Sequence, residues 1–399
     1  MRVLFMATPV PSHFTPMVPL AWALRTAGHD VLVAGQPDIT GAAVAAGLPA
    51  VEIGDLFDAV EALTARLPAG LRPNQAGRAQ TSDAAPFTLV MPWIMHARYL
   101  MKEYLGFATD WRPDLVVSDP MEFSALLVGG VLGVPVVHHR WDIDPLGGQP
   151  LAMARELLGT RFARHGLDGP LPGPALVIDS CPPSLRGQDP EDAAGGRPPT
   201  RSVRYVPYNG AGALPSWAPE TAAAHRVAVS LGGLTAQLNG VPLFRGVVDA
   251  LEGLDGVESL VTLPAAHHEE LGPVGERTRV VEPVPLNLFL ESCAAVVHHG
   301  GTGTSLTACA FGLPQLVLPQ IGNESLWAAR LRDYGLAKEL TDPAAQDDPA
   351  AVRDAVRDLL EAPSYATAAR RLAGEMAALP APADLVPGLE ALTTEFAGR

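Results

Sequence analysis

The sequence alternates short apolar strands with amphipathic helices, and it begins this alternation twice. In the first half, β-branched runs such as Val3–Ala7, Asp30–Gly35 and Leu115–Ser118 are separated by helical segments such as Pro16–Ala27. The second half starts again with a strand at Val227–Ser230. Strands that alternate with helices indicate parallel sheets with right-handed crossovers. The pattern therefore predicts two doubly wound α/β domains.

The chain has 399 residues, which exceeds the usual size of one domain and suits two of nearly equal size. Stretches rich in Pro and Gly interrupt the middle of the chain, and they place the domain boundary near residues 208–224. We predict an N-terminal domain over 1–208, a C-terminal domain over 209–383, and a terminal helix over 384–399 that packs back on the first domain. Ligands of such sheets bind beyond the carboxyl ends of the strands, here in a cleft between the two domains.

The composition excludes several classes of partner. The net charge is −15 and no cluster of Lys and Arg is present, so the chain lacks the basic face that nucleic acid requires. The longest apolar run, 125–137, is shorter than the roughly 20 residues that span a bilayer. The start of the chain enters a strand directly, without the pattern of a secretory signal, and the three cysteines show no CxxC spacing. We expect a cytoplasmic protein.

The strongest local signal is the segment His298–Thr304, with the sequence HHGGTGT, between a buried strand and an apolar helix. Glycines let the backbone approach a phosphate closely, and a helix N-terminus adds positive potential. The hydroxyls of Thr302 and Thr304 and the imidazole of His299 can donate to the same oxygens. The segment is therefore a candidate anion site. The alternative is a tight strand-to-helix turn whose glycines serve packing alone.

Further segments of the second half accompany this turn in a fixed order. Ser230–Gly233 (SLGG) follows the first strand, and Pro283–Pro285 (PVP) comes before a short helix. Gly312–Gln315 (GLPQ) and Pro319–Gln320 follow the turn and lead to the pair Asn323-Glu324. Amide and carboxylate side chains can accept hydrogen bonds from sugar hydroxyls. The alternative role of Asn323 is that of a helix N-cap.

The first half contains a candidate base. His13 lies in the loop Pro11–Pro16 after the first strand and just before a helix. A histidine at the mouth of a sheet suits proton removal, because its pKa is close to the working pH. Asp119 follows the strand Leu115–Ser118 and comes before Pro120. The alternatives are a purely structural histidine and an aspartate that only forms a turn.

Taken in order, these motifs resemble those of family-one glycosyltransferases with the GT-B fold, in which two Rossmann-like domains face each other across a cleft. The resemblance covers nearly the whole chain, including an opening close to MRVLF…H…P and the segment RYVPYNG at 204–210. Two departures stand out. The usual Asp-Gln pair is replaced by Asn323-Glu324, and Ser12 occupies the place of the glycine in the GHxxP motif.

The resemblance implies roles for these residues. His13 is expected to be the catalytic base, and Asp119 is expected to bond one imidazole nitrogen and orient the ring. Main-chain groups near Val284 are expected to read the pyrimidine, and Asn323 and Glu324 are expected to bind the sugar. The diphosphate-binding set that the resemblance implies is Ser230, Gly232, Gly233, His299, Gly301, Thr302, Gly303 and Thr304.

The sequence is most similar in appearance to actinobacterial glycosyltransferases of antibiotic and polyketide tailoring. That similarity implies a TDP-activated deoxysugar, a hydrophobic aglycone bound in the first domain, inversion at the anomeric carbon, and no metal or other cofactor. Apolar side chains that could contact the acceptor, or could equally belong to the core, are Phe87, Met91, Trp93 and Trp141.

Other functions compatible with these motifs are C-glycosylation, sugar-nucleotide epimerisation or hydrolysis, and the role of a catalytically silent auxiliary protein. A catalytically silent auxiliary protein would lack nucleotide binding, and the intact HHGGTGT segment argues against that role. A homodimer and an auxiliary activator protein both stay open.

Two patterns imitate metal sites. Asp142-Ile143-Asp144 has the form of the DxD triplet, but one such triplet is common by chance in an acidic chain. The pairs His138-His139 and His267-His268 are adjacent, and neighbouring residues of a strand point to opposite faces. We predict that neither pattern binds a metal and that both histidine pairs are surface or cleft residues.

Overall fold

A computed structural model describes residues 1–58, 61, 67–77, 85–143, 146–186, 198–218 and 225–398, with residues 85–89 described by their backbone only. Within this part of the chain, residues group into two compact units. The first unit comprises the described residues of 1–58, 82–208 and 378–399. The second comprises those of 59–81 and 209–377, so the segment 67–77 belongs to the second unit although it lies within the predicted N-terminal domain.

In the described residues of the first unit, seven parallel strands form one sheet in the order β3-β2-β1-β4-β5-β6-β7. The strands are β1 Arg2–Met6, β2 Asp30–Gly35, β3 Ala50–Glu52, β4 Leu115–Ser118, β5 Val136–Arg140, β6 Leu176–Asp179 and β7 Thr200–Ser202. The helices are α1 Pro11–Phe14, α2 Val18–Thr26, α3 Pro37–Ala45, α4 Ala85–Trp111, α5 Phe123–Leu132, α6 Gln149–Arg164, α7 Pro183–Arg186 and, at the end of the chain, α16 Val386–Ala397.

In the described residues of the second unit, six parallel strands form a sheet in the order β10-β9-β8-β11-β12-β13. The strands are β8 His225–Ser230, β9 Val257–Thr262, β10 Thr278–Val281, β11 Ala295–His298, β12 Gln315–Val317 and β13 Ala337–Glu339. The helices are α8 Gly233–Thr235, α9 Val241–Glu252, α10 His268–Leu271, α11 Thr302–Ala310, α12 Gly322–Tyr334, α13 Pro343–Gln346, α14 Pro349–Glu361 and α15 Pro363–Ala377.

Each sheet is buried on both faces, which explains why its strands are continuous apolar runs. In the first unit, Phe5 and Val117 belong to one core cluster and Leu4 and Val116 to another, because successive side chains point to opposite faces. The C-terminal helix α16 packs on the first of these clusters through residues that include Leu389. The predicted class of two parallel-sheet α/β domains is confirmed.

Several elements differ from the sequence-based assignment. The long helix α4 and the helix α6 were not predicted. The segment Leu286–Ser292, predicted as one helix, forms two 3₁₀ turns, Leu286–Leu288 and Leu290–Ser292. Helix α4 contains Pro92, a residue that usually ends helices, and this explains why its pattern was difficult to read.

Candidate active site

His13 lies in a one-turn helix rather than in the predicted loop. Helix α1 begins at Pro11, which suits the first position of a helix because its missing N–H has no partner there anyway. The backbone N–H of His13 donates to the carbonyl of Val10 at 2.8 Å. The turn follows the carboxyl end of β1 and therefore places the imidazole at the edge of the sheet where ligands of parallel sheets bind.

A threonine connects His13 with Asp119. The hydroxyl oxygen of Thr8 lies 2.6 Å from His13 Nδ1 and 3.1 Å from Asp119 Oδ2. The backbone N–H of Thr8 also donates to Asp119 Oδ2, at 2.7 Å, and that of Met121 donates to Oδ1 at 2.8 Å. The predicted direct bond between Asp119 and the imidazole is therefore wrong, because Thr8 at the end of β1 stands between them.

The ionised carboxylate of Asp119 determines the tautomer of His13. An ionised Asp119 can only accept, so the Thr8 hydroxyl donates to it and its oxygen accepts from His13 Nδ1–H. The lone pair of the imidazole then lies on Nε2. If Asp119 is protonated, it can donate to Thr8, and Thr8 can donate to Nδ1 instead, which moves the proton of the ring to Nε2. A base at Nε2 therefore requires the ionised Asp119.

Burial sets the charge states of this group. Burial lowers the pKa of His13 to about 3, so the imidazole is neutral at pH 7. Burial also raises the pKa of Asp119 to about 7, a rise that Glu122 supports and the bonds from Thr8 and Met121 oppose. Glu122 accepts from the backbone N–H of Ser124 at the start of α5 and pairs with His96 Nε2 at 2.6 Å. Burial by itself lowers the pKa of His96, but the neighbouring carboxylate of Glu122 raises it. The resulting pKa of His96 lies above its ordinary value of 6.5.

Aromatic side chains surround the imidazole of His13. The ring of Trp141 stacks on it with centroids 4.0 Å apart, and Trp93 contacts it edge-on at 5.6 Å. Phe57, which was not predicted as a site residue, lies 6.2 Å from the ring of Trp93. Met91 and Trp93 pack against the core, as the second of their two predicted roles requires, and contact with the acceptor stays a prediction. The side chain of Phe87 lies outside the described residues.

In the second unit, His298 shapes the HHGG turn from within the core. It is fully buried at the end of β11, and its Nε2 lies 2.8 Å from Gln315 Oε1 on the neighbouring strand β12. Its Nδ1 accepts the backbone N–H of Gly300 at 3.0 Å. An amide oxygen only accepts, so the ring proton lies on Nε2. Burial, supported by the adjacent His299, lowers the pKa of His298 to about 3, which keeps this tautomer neutral.

Two glycines enclose His299. A Cβ atom at Gly301 would lie 2.5 Å from His299 Nε2, and one at Gly232 would lie 2.9 Å from its Cε1. Gly300, with φ of 101°, makes a left-handed turn that other residues rarely adopt. Burial lowers the pKa of His299 to about 4, so its contact with Glu324, 3.8 Å between Nε2 and Oε1, is not an ion pair at pH 7.

Helix α11 begins at Thr302 and so directs its first N–H groups at the turn. The hydroxyls of Ser305 and Thr307 donate back to the carbonyls of Gly301 and Gly303. Thr302 and Thr304 are partly exposed at the helix start, and their hydroxyls make no hydrogen bond to other residues of the described chain. The first turn of α11 therefore offers backbone and hydroxyl donors together, as an anion site requires.

The pair Asn323-Glu324 opens helix α12. The N-cap of this helix is Ile321, so the alternative of Asn323 as the N-cap is wrong. Glu324 is the residue that caps: its Oε2 accepts the backbone N–H groups of Gln320 at 2.7 Å and Ile321 at 3.0 Å. Only Oε1 remains directed at His299. The swapped order of the pair therefore places the acceptor-only side chain at the position that caps the helix.

The remaining predicted donor residues border the same end of the sheet. Ser230 ends β8, and Gly232, with φ of 79°, turns the chain towards Gly233 at the start of α8. Val284 precedes the 3₁₀ turn at Leu286 and is partly buried. Asn209, which was not predicted, joins this turn to helix α11.

The side chain of Asn209 accepts from the backbone N–H of Asn287 at 3.1 Å and donates to the Thr307 hydroxyl at 2.9 Å.

The two histidine pairs and the triplet Asp142-Ile143-Asp144, whose patterns resemble metal sites, were also located. His138 and His139 are buried in β5, so the prediction of surface or cleft residues is wrong for this pair. His267 and His268 lie at the junction of a 3₁₀ turn with α10 and are partly exposed. Asp144 lies outside the described residues. Within the described ranges, no group of three or more His, Cys, Asp or Glu side chains is arranged to hold a metal ion.

Comparison with known proteins assigns the family. Residues 22–232 match the N-terminal domain of the erythromycin biosynthesis protein CIII-like family, and residues 245–392 match its C-terminal domain. The chain belongs to this family of GT-B glycosyltransferases. None of the helices that the structure describes has the length and apolar character needed to cross a membrane.

The glycosyltransferase is similar over its whole length to characterised relatives. It is 35% identical to the L-demethylnoviosyl transferase of Streptomyces niveus, with 98% of each chain covered. It is 32% identical to the 10-deoxymethynolide desosaminyltransferase of Streptomyces venezuelae, over 99% of this chain and 98% of that protein. The solved spinosyn rhamnosyltransferase SpnG, complexed with thymidine diphosphate, is 37% identical, with a TM-score of 0.84 and coverage of 98% and 100%.

Besides Phe57 and Asn209, the sequence did not single out Thr8, His298 and Gln315. Each of these three forms hydrogen bonds with neighbouring groups of the candidate site. Gln315 and His298 stand in the motifs GLPQ and HHGG, but their pairing depends on the adjacency of β11 and β12. Thr8 follows a strand without any motif, and its link with Asp119 depends on the adjacency of β1 and β4.

Proposed function

We propose that this glycosyltransferase moves a deoxysugar from a TDP-sugar to a hydroxyl of a hydrophobic natural-product aglycone, with inversion at the anomeric carbon and His13 as general base. The observation that carries the proposal is the hydrogen-bonded series Asp119–Thr8–His13, because it directs the lone pair of a neutral imidazole to Nε2. The negative charge of Asp119, acting through Thr8, stabilises the imidazolium that forms when His13 takes a proton.

The reaction is a single displacement. The acceptor oxygen forms a bond to the anomeric carbon while the bond from that carbon to the diphosphate oxygen breaks. The acceptor proton moves to His13 Nε2, and TDP leaves with the electron pair of the broken bond. Because one displacement takes place on the face opposite to the leaving group, the configuration inverts.

Residues of the second unit are suited to the departing diphosphate. The backbone N–H groups at the start of α11, the hydroxyls of Thr302 and Thr304 and the neutral imidazole of His299 are donors. The close approach of Gly232 and Gly301 to His299 leaves backbone rather than side chains around it. Gly233 and Gly303 border the same turns, Val284 is assigned to the pyrimidine, and Asn323 with Glu324 Oε1 is assigned to the sugar.

Names of relatives support the choice of substrates. SpnG and VinC have been solved in complexes with thymidine diphosphate and dTDP, and a relative from Streptomyces peucetius is a TDP-daunosamine transferase. The 10-deoxymethynolide and erythronolide transferases are named for macrolide acceptors. The rings of Trp93 and Trp141 at His13, together with Phe57 beside Trp93, suit an apolar acceptor of this kind.

The test combines binding with turnover. TDP- and UDP-sugars are screened by calorimetry, and the donor that binds is used with a panel of macrolide and anthracycline aglycones. His13→Ala is expected to reduce turnover by a factor on the order of 10²–10⁴ and to leave donor affinity unchanged. His165→Ala, at the end of α6, serves as the control. Full turnover by His13→Ala, or retention of configuration in the product, would contradict the proposal.

A further inference from the structure

Residues 67–77, here called the strap, belong to the second unit, although in the sequence they lie between β3 and α4 of the first unit. Arg72 is the centre of the strap and is only 2% exposed. Its Nη1 lies 2.6 Å from Asp347 Oδ1, and its Nη2 donates to Gln346 Oε1 at 3.3 Å and to the carbonyl of Pro343 at 3.4 Å.

Two further contacts of the strap are made by residues that follow Arg72 in the sequence. Asn74, also buried, donates to the carbonyl of Thr341 at 3.1 Å, and Gln75 donates to Asp347 Oδ2 at 3.0 Å. A buried guanidinium is costly unless its hydrogen bonds are met by groups in fixed positions. Arg72 meets this requirement through Nη1 and Nη2, whereas its buried Nε has no hydrogen-bond partner among the described residues, so the two terminal nitrogens make the contact.

Gln346 transmits the position of Arg72 to the loop that precedes α12. This amide is fully buried, and its Oε1 also accepts from Gln320 Nε2 at 2.9 Å. Its Nε2 donates to the carbonyls of Pro319 at 3.1 Å and Leu340 at 2.7 Å. Both donor hydrogens and both acceptor positions of the amide are used, so Gln346 can hold only one orientation.

The loop that Gln346 holds leads directly into the proposed sugar pair. The backbone N–H groups of Gln320 and Ile321 donate to Glu324 Oε2, so the position of the loop and that of the Glu324 carboxylate depend on each other. A shift of Arg72 would therefore reach Glu324 through two buried side chains, Gln346 and Gln320.

The strap also touches the loop on the other side of the proposed diphosphate site. Asn239 adopts a left-handed conformation with φ of 61°, in the turn 236–240 that follows Gly232 and Gly233. Its Nδ2 donates to the carbonyl of Leu71 at 2.8 Å. The strap thus contacts the turn 236–240 directly and the loop before α12 through Gln346.

We propose that the strap is a positioning element of the donor site and that Arg72 is the positioning residue for its sugar-binding part. The assignment of the sugar to Asn323 and Glu324 rests on the proposed function, whereas the bracing of the loop by Arg72 does not. A strap that only stabilised the fold would leave donor selectivity unchanged when altered. If the strap positions the donor site, a change at Arg72 must alter sugar recognition more than nucleotide recognition.

Arg72→Met and Arg226→Met form a matched pair for the test. Arg226 is likewise a buried arginine of the second unit, paired with Glu258 at 3.2 Å, but it lies at the start of β8, away from the loops that follow the strand ends. Thermal unfolding, calorimetry with TDP and with the TDP-sugar, steady-state kinetics, and hydrogen exchange of the backbone amides of 320–324 are measured for both variants.

We expect both variants to lower the unfolding temperature, but only Arg72→Met to speed exchange at 320–324. Arg72→Met should raise KM and Kd for the TDP-sugar roughly tenfold, the scale of one lost hydrogen bond to a charged group, with little change in TDP affinity. Unchanged exchange at 320–324 in Arg72→Met, or an equal loss of TDP-sugar affinity in Arg226→Met, would overturn the proposal. Faster exchange in a protein that binds no TDP-sugar would instead count against the proposed function.

If Arg72→Met does not fold, Arg72→Lys is used, because an ammonium cannot reach Asp347, Gln346 and Pro343 together. Asn239→Gly tests the other end of the strap, since glycine tolerates the left-handed conformation while the bond to Leu71 is lost. We expect Arg72→Lys to lower the affinity for the TDP-sugar, but by less than Arg72→Met does. We expect Asn239→Gly to lower the affinity for TDP itself. Wild-type behaviour of both variants would overturn the proposal.

Discussion

The Thr8 hydroxyl lies 2.6 Å from His13 Nδ1, while the backbone N–H and the hydroxyl of the same residue both contact Asp119 Oδ2, at 2.7 and 3.1 Å. One residue therefore both fixes the carboxylate and passes its charge to the imidazole. This arrangement places the buried Asp119 beyond direct contact with the imidazole, and it makes the tautomer of His13 depend on a hydroxyl that can rotate.

Removing the Thr8 hydroxyl should slow the chemical step. Thr8→Val keeps the shape of the side chain but leaves His13 Nδ1 without a partner, so we expect kcat to fall about tenfold to a hundredfold with little change in donor KM. Thr8→Ser retains the hydroxyl and should recover most of the rate. Steady-state kinetics of the three proteins check this, and a Thr8→Val enzyme with the wild-type kcat would show that the contact has no role in the reaction.

The acid limb of the pH–rate profile should report Asp119 rather than His13. Burial lowers the pKa of His13 to about 3, so this ring stays neutral as the pH falls through its ordinary value of 6.5. Asp119, with its pKa raised to about 7, is ionised above that pH and becomes protonated below it. Because the base at Nε2 needs the ionised form, kcat/KM should fall as the pH decreases through about 7.

The variant Asp119→Asn distinguishes the contribution of the Asp119 carboxylate to the pH dependence from that of the His13 imidazole. The amide oxygen can still accept from Thr8, which preserves the tautomer, but the negative charge that stabilises the imidazolium is lost. We expect a lower kcat/KM that no longer changes between about pH 8 and about pH 6, because no group with a pKa near 7 remains in the series. If Asp119→Asn showed the same fall of kcat/KM at low pH as the wild type, that fall would have to come from another residue. Glu122→Gln provides a further comparison, since Glu122 helps to raise the pKa of Asp119.

A side chain at Gly301 should displace His299. The added methyl of Gly301→Ala would lie 2.5 Å from Nε2, too close for any Cβ atom, so the ring has to move away from the diphosphate turn. We expect TDP affinity, measured by calorimetry, to decrease by about tenfold or more. Gly246→Ala in α9, where a Cβ would meet no atom within 4 Å, should bind TDP like the wild type. Equal affinities of the two variants would show that His299 does not contribute to binding.

Gln315 should support nucleotide binding without touching the nucleotide. Gln315→Leu removes the acceptor of His298 Nε2–H inside the core, and we expect the free energy of unfolding to fall by about 1–3 kcal/mol together with weaker TDP binding. Cys309→Ala is the control, because it removes only the sulfur that Gln315 Nε2 contacts at 3.2 Å and leaves the bond to His298. Denaturant unfolding and calorimetry measure both effects, and unaltered TDP binding in Gln315→Leu would separate the His298 turn from the site.

Strand and motif positions could be obtained from local patterns. The strands at 30–35 and 115–118 were predicted with the bounds that the structure gives, because each is an apolar run flanked by turn residues. Helix α6 was not predicted because it contains Gly159 and has only a weak apolar stripe. The two 3₁₀ turns after Pro285 have a sequence pattern similar to that of one short helix. Local preference is a weak guide where packing decides the outcome.

The sequence by itself determined the class of fold, the family, and the candidate residues such as His13 and His299, because periodicity and motif order are local properties of the chain. The tertiary structure decided how those residues act. Thr8 lies between His13 and Asp119 because β1 and β4 are neighbours, Glu324 caps a helix, and Arg72 reaches Gln346 across more than two hundred residues of sequence. Hydrogen bonds form between groups that are close in space, and separation along the chain does not reveal which distant groups will meet.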